Sequence, residues 1–447
     1  MPASGSQSYL DRVRTAVRQG VESDGWRHTS WLILGVVLGV LITLTVPIAF
    51  PITSSLEEGE LVILSGRDAS ANDQRQALIN QWNDLHPKNQ ARIVELPCQA
   101  DAQHSEMMAQ AQANRSDVDI YNLDVTWTAE FAHRDLIRQL DASEVDTAGF
   151  LAKPLETCRY DGNLWALPFN SDAGLLYYRS DLVPTPPRSW TRLKLEVDQI
   201  LERPQPAGSP LVAGYTGQLA NYEGLTVNAL EAIWSADGNV VSADGQVVIS
   251  DKLEDTELGL DRLRRSPADS QLVLPDSFAY DETRSTQAFR EGKVIFMRNW
   301  PVAYRSLAAP ANEASPAPPV PFGVAALPGP SVLGGQNLAI AKQSSKPRAA
   351  QALIEFLTDD RSQQLLFERG GFAATREIVY RDSGVTDQYK YARVLLEAIE
   401  RSRLRPATPY YNRFSEVFRN VVHEALRDGK PLPPDFPDRL REALKGK

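Results

Sequence analysis

Five histidines, at 28, 86, 104, 133 and 423, are the side chains of this sequence best suited to acid–base or metal chemistry near neutral pH. No two of them have the H-E-x-x-H spacing that would set both imidazoles on one helix face, and Cys98 and Cys158 are far from a C-x-x-C pair. There is no G-x-S-x-G elbow to present a nucleophilic serine, and no G-x-x-x-x-G-K-[ST] loop to cradle phosphates. No metal, no cofactor and no catalysis are therefore expected. The abundant carboxylates leave one enzymatic alternative, a glycosidase-like pair set about 5–9.5 Å apart across a scissile bond. The two cysteines allow a Cys98–Cys158 disulfide in an oxidising compartment, or two separate buried thiols.

The 447 residues are 43% hydrophobic and 23% charged, enough for two or three domains with sizeable cores. With 47 basic and 57 acidic residues the net charge is −10, which repels phosphate backbones and argues against nucleic acid as a partner.

Residues 31–50 (WLILGVVLGVLITLTVPIAF) are uncharged. Their number matches the roughly 20 residues a helix needs to cross a bilayer. Arginines at 12, 14, 18 and 27 precede the run and Glu57, Glu58 and Glu60 follow it. By the positive-inside rule the N-terminus lies in the cytoplasm and the rest outside. The expectation is a cytoplasmic segment over 1–30, a single-pass transmembrane anchor over 31–50, a linker over 51–60 and an extracellular binding domain over 61–447. A cleaved signal peptide is the rival reading, but the apolar run exceeds the usual h-region and no A-x-A-like site follows it.

Beyond the linker, residues 61–64 read as a buried strand, Gln74, Leu78, Ile79, Trp82 and Leu85 as the pattern of a long helix ending near Trp82, 92–96 as a strand, 107–114 as a helix and 118–125 as a strand. That alternation implies an α/β layer with parallel pairing. Ligands in such layers bind beyond the carboxyl ends of the strands, where Asp124, Trp127 and the loop 65–73 fall. Asp161-Gly162 marks a hairpin. Residues 174–178, 322–326 and 337–341 look like strands, and 190–300 like a mostly helical block. The apolar spacing over 349–369 predicts a helix closed at Gly370-Gly371. Residues 415–426 are amphipathic. The pattern fits two α/β lobes that the chain crosses between more than once.

Six segments, in order, carry a family likeness: LDVTWTAEF at 123–131, WALPFNSDAGLLYYR at 165–179, NYEGL at 221–225 with EAIWSADG at 231–238, AFREGKVIFMRNWP at 288–301, GGQNL at 334–338 and RPATPYY at 405–411. Together they make the chain resemble the extracellular solute-binding proteins of sugar ABC importers, in the trehalose/maltose-binding branch. The resemblance implies a periplasmic-binding-protein-like fold in which two hinged lobes close over a ligand. It sets lobe 1 at about 61–170 plus 326–375, and lobe 2 at about 171–325 plus 376–447. It also implies a monomeric receptor that delivers an α-linked disaccharide to ABC permease subunits in the membrane. A sensor that reports sugar occupancy to a membrane signalling partner is the alternative. The chain departs from its relatives at Gln336 and Val302, where an aromatic is common, which thins the stacking surface.

A sugar presents hydroxyls and C–H patches. Its binder needs carboxylates and amides for strong hydrogen bonds, and aromatic faces for the C–H patches. The resemblance assigns ligand contact to Asp73, Asp124, Trp127, Asn170, Asp172, Glu223, Trp300, Gly335, Gln336 and Arg405. Several have plainer readings. Asp124 can cap a helix over 126–133. Asp172 can be a hinge-turn residue. Asp73 and Glu223 can complement a helix dipole. Trp127 and Trp300 can be core, and Arg405 can be a surface ion pair.

Overall fold

Leu61, Val62, Ile63 and Leu64 have no polar interruption, so a strand made of them must be covered on both faces. They are nearly inaccessible in β1 (Leu61–Gly66). The molecule is represented by a computed structural model that describes residues 56–68, 73–97, 99–113, 117–264, 271–310 and 319–447. β1 pairs in parallel with β2 (Ala91–Leu96) on one side and β3 (Ile120–Asp124) on the other. The helices Gln74–Leu85 and Ala100–Gln112 make the crossovers. β4 (Arg159–Tyr160) and β5 (Asn163–Leu164) form the expected hairpin. Its turn residues Asp161 and Gly162 both have positive φ, 50° and 76°, the conformation for which Asp-Gly is suited.

β6 (Leu167–Ala173) runs on the first sheet, and Gly174 alone separates it from β7 (Leu175–Arg179), which belongs to a second sheet. The second sheet is completed by β8 (Ala213–Thr216), β9 (Val294–Asn299) and β10 (Phe322–Ala326), in the order β10-β7-β9-β8. The chain then returns to β11 (Leu333–Ile340), which lies antiparallel between β3 and β6 and gives the first sheet the order β2-β1-β3-β11-β6. Helix Pro347–Leu357 packs on the first sheet, and the amphipathic helix Tyr411–Asp428 packs on Glu223–Trp234 beside the second. Each sheet with its helices is one lobe.

Three expectations change. The transmembrane helix over 31–50 lies outside the described residues, and among the described residues no helix is long and apolar enough to cross a membrane. The fold is corrected to the two lobes without that helix, and the single-pass membrane localisation drawn from it is withdrawn. Residues 190–300 are not a helical block, because they carry β8 and β9 at the heart of the second sheet. Every residue of β9 is buried, and a short run buried on both faces has no periodicity to separate strand from helix. The segment 349–369 is two helices, Pro347–Leu357 and Asp360–Leu365, followed by a π turn over Leu366–Gly370. Asp359 caps the second helix by accepting from the Ser362 N–H, and Gly371 ends the run at φ 81° as expected.

Candidate functional site

The first sheet gathers one set of expected residues at one end. β3 ends at Asp124, and the register places Asp124 opposite Gln336 of β11. On the other flank Gln336 faces Asn170, Gly335 faces Ser171 and Gly334 faces Asp172. Three adjacent strands thus bring Asp124, Gln336, Asn170, Gly335 and Asp172 together. Gly335 has φ 116°, and a Cβ there would lie 2.2 Å from the Asn170 carbonyl oxygen. Only glycine lets β11 pass so close to β6.

The second lobe brings Trp300, directly after β9, against this end. A Cβ on Gly334 would meet Trp300 Cη2 at 3.1 Å and Asp172 Cβ at 3.2 Å. Asn299 Oδ1 accepts from the Trp300 backbone N–H at 2.8 Å, and the Arg298 guanidinium lies 3.8 Å from the centre of the ring. Glu223 starts the helix Glu223–Trp234. It is joined to Asp124 by Arg405, whose Nη1 donates to Glu223 Oε1 at 2.7 Å and whose Nη2 donates to Asp124 Oδ1 at 3.2 Å. Arg405 is no surface ion pair, since its side chain is 3% exposed.

Charge balance here is set by burial. It would lower the Arg405 pKa, but Asp124, Tyr411 and Glu223 outweigh it and the pKa is raised. Burial raises the Glu223 carboxyl despite Arg405, Ser415 and Tyr411. Both the Tyr411 and Ser415 hydroxyls donate to Glu223 at 2.5 Å. Asp172 is pushed up to about 7, by burial first and by the Asp124 charge, against the pull of Arg298. Asp124 keeps its plainer role as well. Its Oδ1 accepts from the Thr126 N–H and hydroxyl at 3.0 and 2.8 Å, which closes the turn into helix Thr128–His133.

Two expected residues have their side chains in other settings. Trp127 is 3% exposed, with its ring edge-on to His104 at 5.2 Å, so it is wall and not surface. Asp73 is exposed at the start of helix Gln74–Leu85 and makes no side-chain cap bond. Asp68 instead takes the Arg75 N–H at 3.1 Å and pairs with its guanidinium at 3.0 Å. Cys158 is a buried free thiol whose pKa burial pushes up, while Cys98 lies outside the described residues. Among the described residues no cluster of His, Cys, Asp or Glu is arranged to hold a metal ion.

Sequence reasoning missed a ring of contacts at the rim. Asn412 Nδ2 lies 3.0 Å from Glu130 Oε2 and 2.8 Å from His104 Nε2, and His104 Nε2 is 2.9 Å from that same Glu130 oxygen. Asn412 comes from the helix packed on the second lobe, and Glu130 and His104 from helices of the first. Burial alone would raise the Glu130 carboxyl, but His104, Asn412 and Arg134 outweigh it and its pKa is lowered. No sequence spacing links these three. Tyr411 did carry a signal, since it closes the RPATPYY segment.

Residues 77–392 match the bacterial extracellular solute-binding protein family. The chain belongs to that family. As a member it is a binding protein and not an enzyme. A probable ABC transporter-binding protein of Deinococcus radiodurans is 32% identical over 356 residues, covering 76% of this chain and 82% of that protein. Among solved structures, the maltose-bound MalE3 of T. maritima superposes with a TM-score of 0.75 at 27% identity, covering 87% of this chain and 99% of that one. The GacH receptor of Streptomyces glaucescens superposes at 0.72 with 22% identity, covering 87% of this chain and 99% of that one. These likenesses agree with the two-lobed architecture.

Proposed function

We propose that this solute-binding protein is the sugar receptor of an ABC importer and takes an α-linked disaccharide of the maltose or trehalose type. The observation that carries the reading is Arg405 held between carboxylates from two different elements, Asp124 and Glu223, close to the end of the sheet that Trp300 packs against. A disaccharide needs that combination of charged acceptors, a forked donor and an aromatic face. Arg405 Nε is buried without a hydrogen-bond partner among the described residues, so a donor remains for a ligand hydroxyl. Asp172, Asn170, Gln336 and the Gly335 backbone supply further polar contacts, and Trp300 supplies the stacking face. MalE3, which was solved with maltose, supports the choice of an α-glucoside. Kinship with a probable ABC transporter-binding protein supports delivery to membrane permease subunits.

A thermal-shift screen against maltose, trehalose, larger α-glucans and unrelated solutes tests the reading. A ligand at 100 times its Kd stabilises the folded state by about 2.7 kcal/mol, which is a rise of several degrees. The expected result is a rise for one α-linked disaccharide that is lost in Trp300→Ala and Asp172→Ala. A rise for a polyol or phosphodiester with none for any α-glucoside would overturn it.

A further inference from the structure

The most deeply buried ion pair of the second lobe lies next to Trp300. Arg298, in β9, is 1% exposed and Glu231, on helix Glu223–Trp234, is 7% exposed. Their contact is a two-pronged fork: Nε donates to Glu231 Oε2 and Nη2 to Glu231 Oε1, both at 2.8 Å. The remaining prong, Nη1, donates to Gln218 Oε1 at 3.2 Å. Three in-plane acceptors fix the guanidinium plane and leave its faces for stacking. The Trp300 ring occupies one face, 3.8 Å away. A cation stacked on indole is held more strongly when both are out of water. Glu282 Oε1 accepts from Trp300 Nε1 at 3.4 Å, and Gly334 bounds the far edge of the ring.

The same pair touches both described crossings between β6 and β7 and between β10 and β11. Gly174 is the single residue joining the two sheets on the outward crossing. A Cβ there would lie 2.5 Å from Glu231 Oε1 and 2.8 Å from Arg298 Nη2. On the return, the Val332 N–H donates to Glu231 Oε1 at 3.0 Å, one residue before β11 begins. A buried ion pair adds little net stability over apolar packing of the same volume, so its value lies in the geometry it fixes.

We infer that Glu231 and Arg298 are positioning residues that hold the Trp300 ring in its ligand-facing pose and key that pose to the two interlobe crossings. This rests on the reading of Trp300 as the sugar-stacking face. Glu231 contacts the outward strand, the return strand and, through Arg298, the ring. A shift of either crossing is therefore passed to Trp300. Neither residue needs to touch the sugar.

The test is a double-mutant cycle on maltose and trehalose affinity with E231Q and W300A, joined by the near-UV circular dichroism band of Trp300, taken as wild type minus W300F. E231Q keeps the side-chain volume and removes the charge. Glu231→Gln should weaken binding roughly tenfold in the wild-type background and less than about twofold in W300A, because the two losses share one route. The Trp300 band should collapse in E231Q without ligand. G174A, which changes no charge and presses a methyl group on the pair, should reproduce both effects if E231Q does not fold. A merely structural role would lower the melting temperature and leave the affinity of the folded protein and the Trp300 band in place. Additive losses, or an unchanged band in both variants, would overturn the inference. If the wild type binds neither sugar, the sugar reading fails, and the band alone decides the positioning role.

Discussion

Arg419 and Asp101 form an ion pair at 3.1 Å between helix Tyr411–Asp428 of the second lobe and helix Ala100–Gln112 of the first. With the contact of Asn412 to Glu130 and His104, it closes the rim of the interlobe boundary by protein contacts alone. A partly exposed pair such as Arg419–Asp101 contributes roughly 0–1 kcal/mol, and the contacts of buried Glu130 add to it. The variant R419A/N412A should therefore open the ligand-free protein without unfolding it. Its radius of gyration from solution scattering is expected to rise, and sugar should bring it back to the wild-type value. An unchanged radius would show that these contacts do not hold the closed form.

Arg405 is the cation between two carboxylates. R405M removes it and leaves Asp124 and Glu223 facing the same space without a counter-charge. Breaking a buried pair from one side costs roughly 3–5 kcal/mol. Urea unfolding at pH 7.5 should show a loss of that order, and sugar affinity of the folded protein should fall because the forked donor is gone. E223Q/R405M should recover part of the stability, because one of the stranded charges is gone.

Asp172 titrates near neutrality, at about 7 against an ordinary 3.8. A carboxyl raised on folding stabilises the fold fully below its unfolded pKa, and that contribution is lost as pH rises through the folded value. D172N should therefore be more stable than wild type at pH 8 and should lose that advantage by about pH 4. Partial exposure of the side chain holds the difference to roughly 1–3 kcal/mol. Sugar binding should run the other way in the wild type. Affinity should strengthen from pH 5.5 to 8 as the charged acceptor forms, and D172N should be flat over that range. Titration calorimetry at three pH values checks both signs.

Gly335 cannot carry a side chain in this register. G335A places a Cβ 2.2 Å from the Asn170 carbonyl oxygen at φ 116°. Destabilisation of roughly 2–4 kcal/mol is expected, with sugar affinity reduced through the displaced Gln336 and Asn170. Denaturant midpoints of G335A and G162A separate this from a general glycine effect, since a Cβ at Gly162 would meet nothing within 4 Å.

Cys158 is fully buried and its thiol is pushed above its ordinary pKa by that burial. Thiolate is the reactive form, so Cys158 should be inert in the native protein. In C98S no thiol should react with a chromogenic disulfide reagent until denaturant is added, when one should titrate. Rapid native labelling of C98S would contradict the burial.

Local signals in the sequence determined the alternation of strand and helix over 61–125, because β1 opens on an apolar run, β2 and β3 are short β-prone segments, and helical spacing separates them. They determined the Asp161-Gly162 turn and the Gly371 stop as well, since those are backbone preferences of single residues. The quoted segments placed Asp124, Asp172, Glu223, Trp300 and Arg405 in the candidate set. Tertiary structure decided what they touch. Arg405 lies 281 residues from Asp124 and 182 from Glu223, and no spacing in the chain encodes that meeting. It follows from β11 threading between β3 and β6, while helix Tyr411–Asp428 folds back on Glu223–Trp234. Trp127 is buried against His104 and Asp73 sits at an exposed helix start, as the plainer readings of both residues had it. Burial on both faces erased the periodicity that would have marked β8 and β9. The rim contacts depend on lobes that meet only once folded, and the Glu231–Arg298 pair on a helix packing against β9 from 67 residues away, so their chemistry is visible in the sequence and their pairing is not.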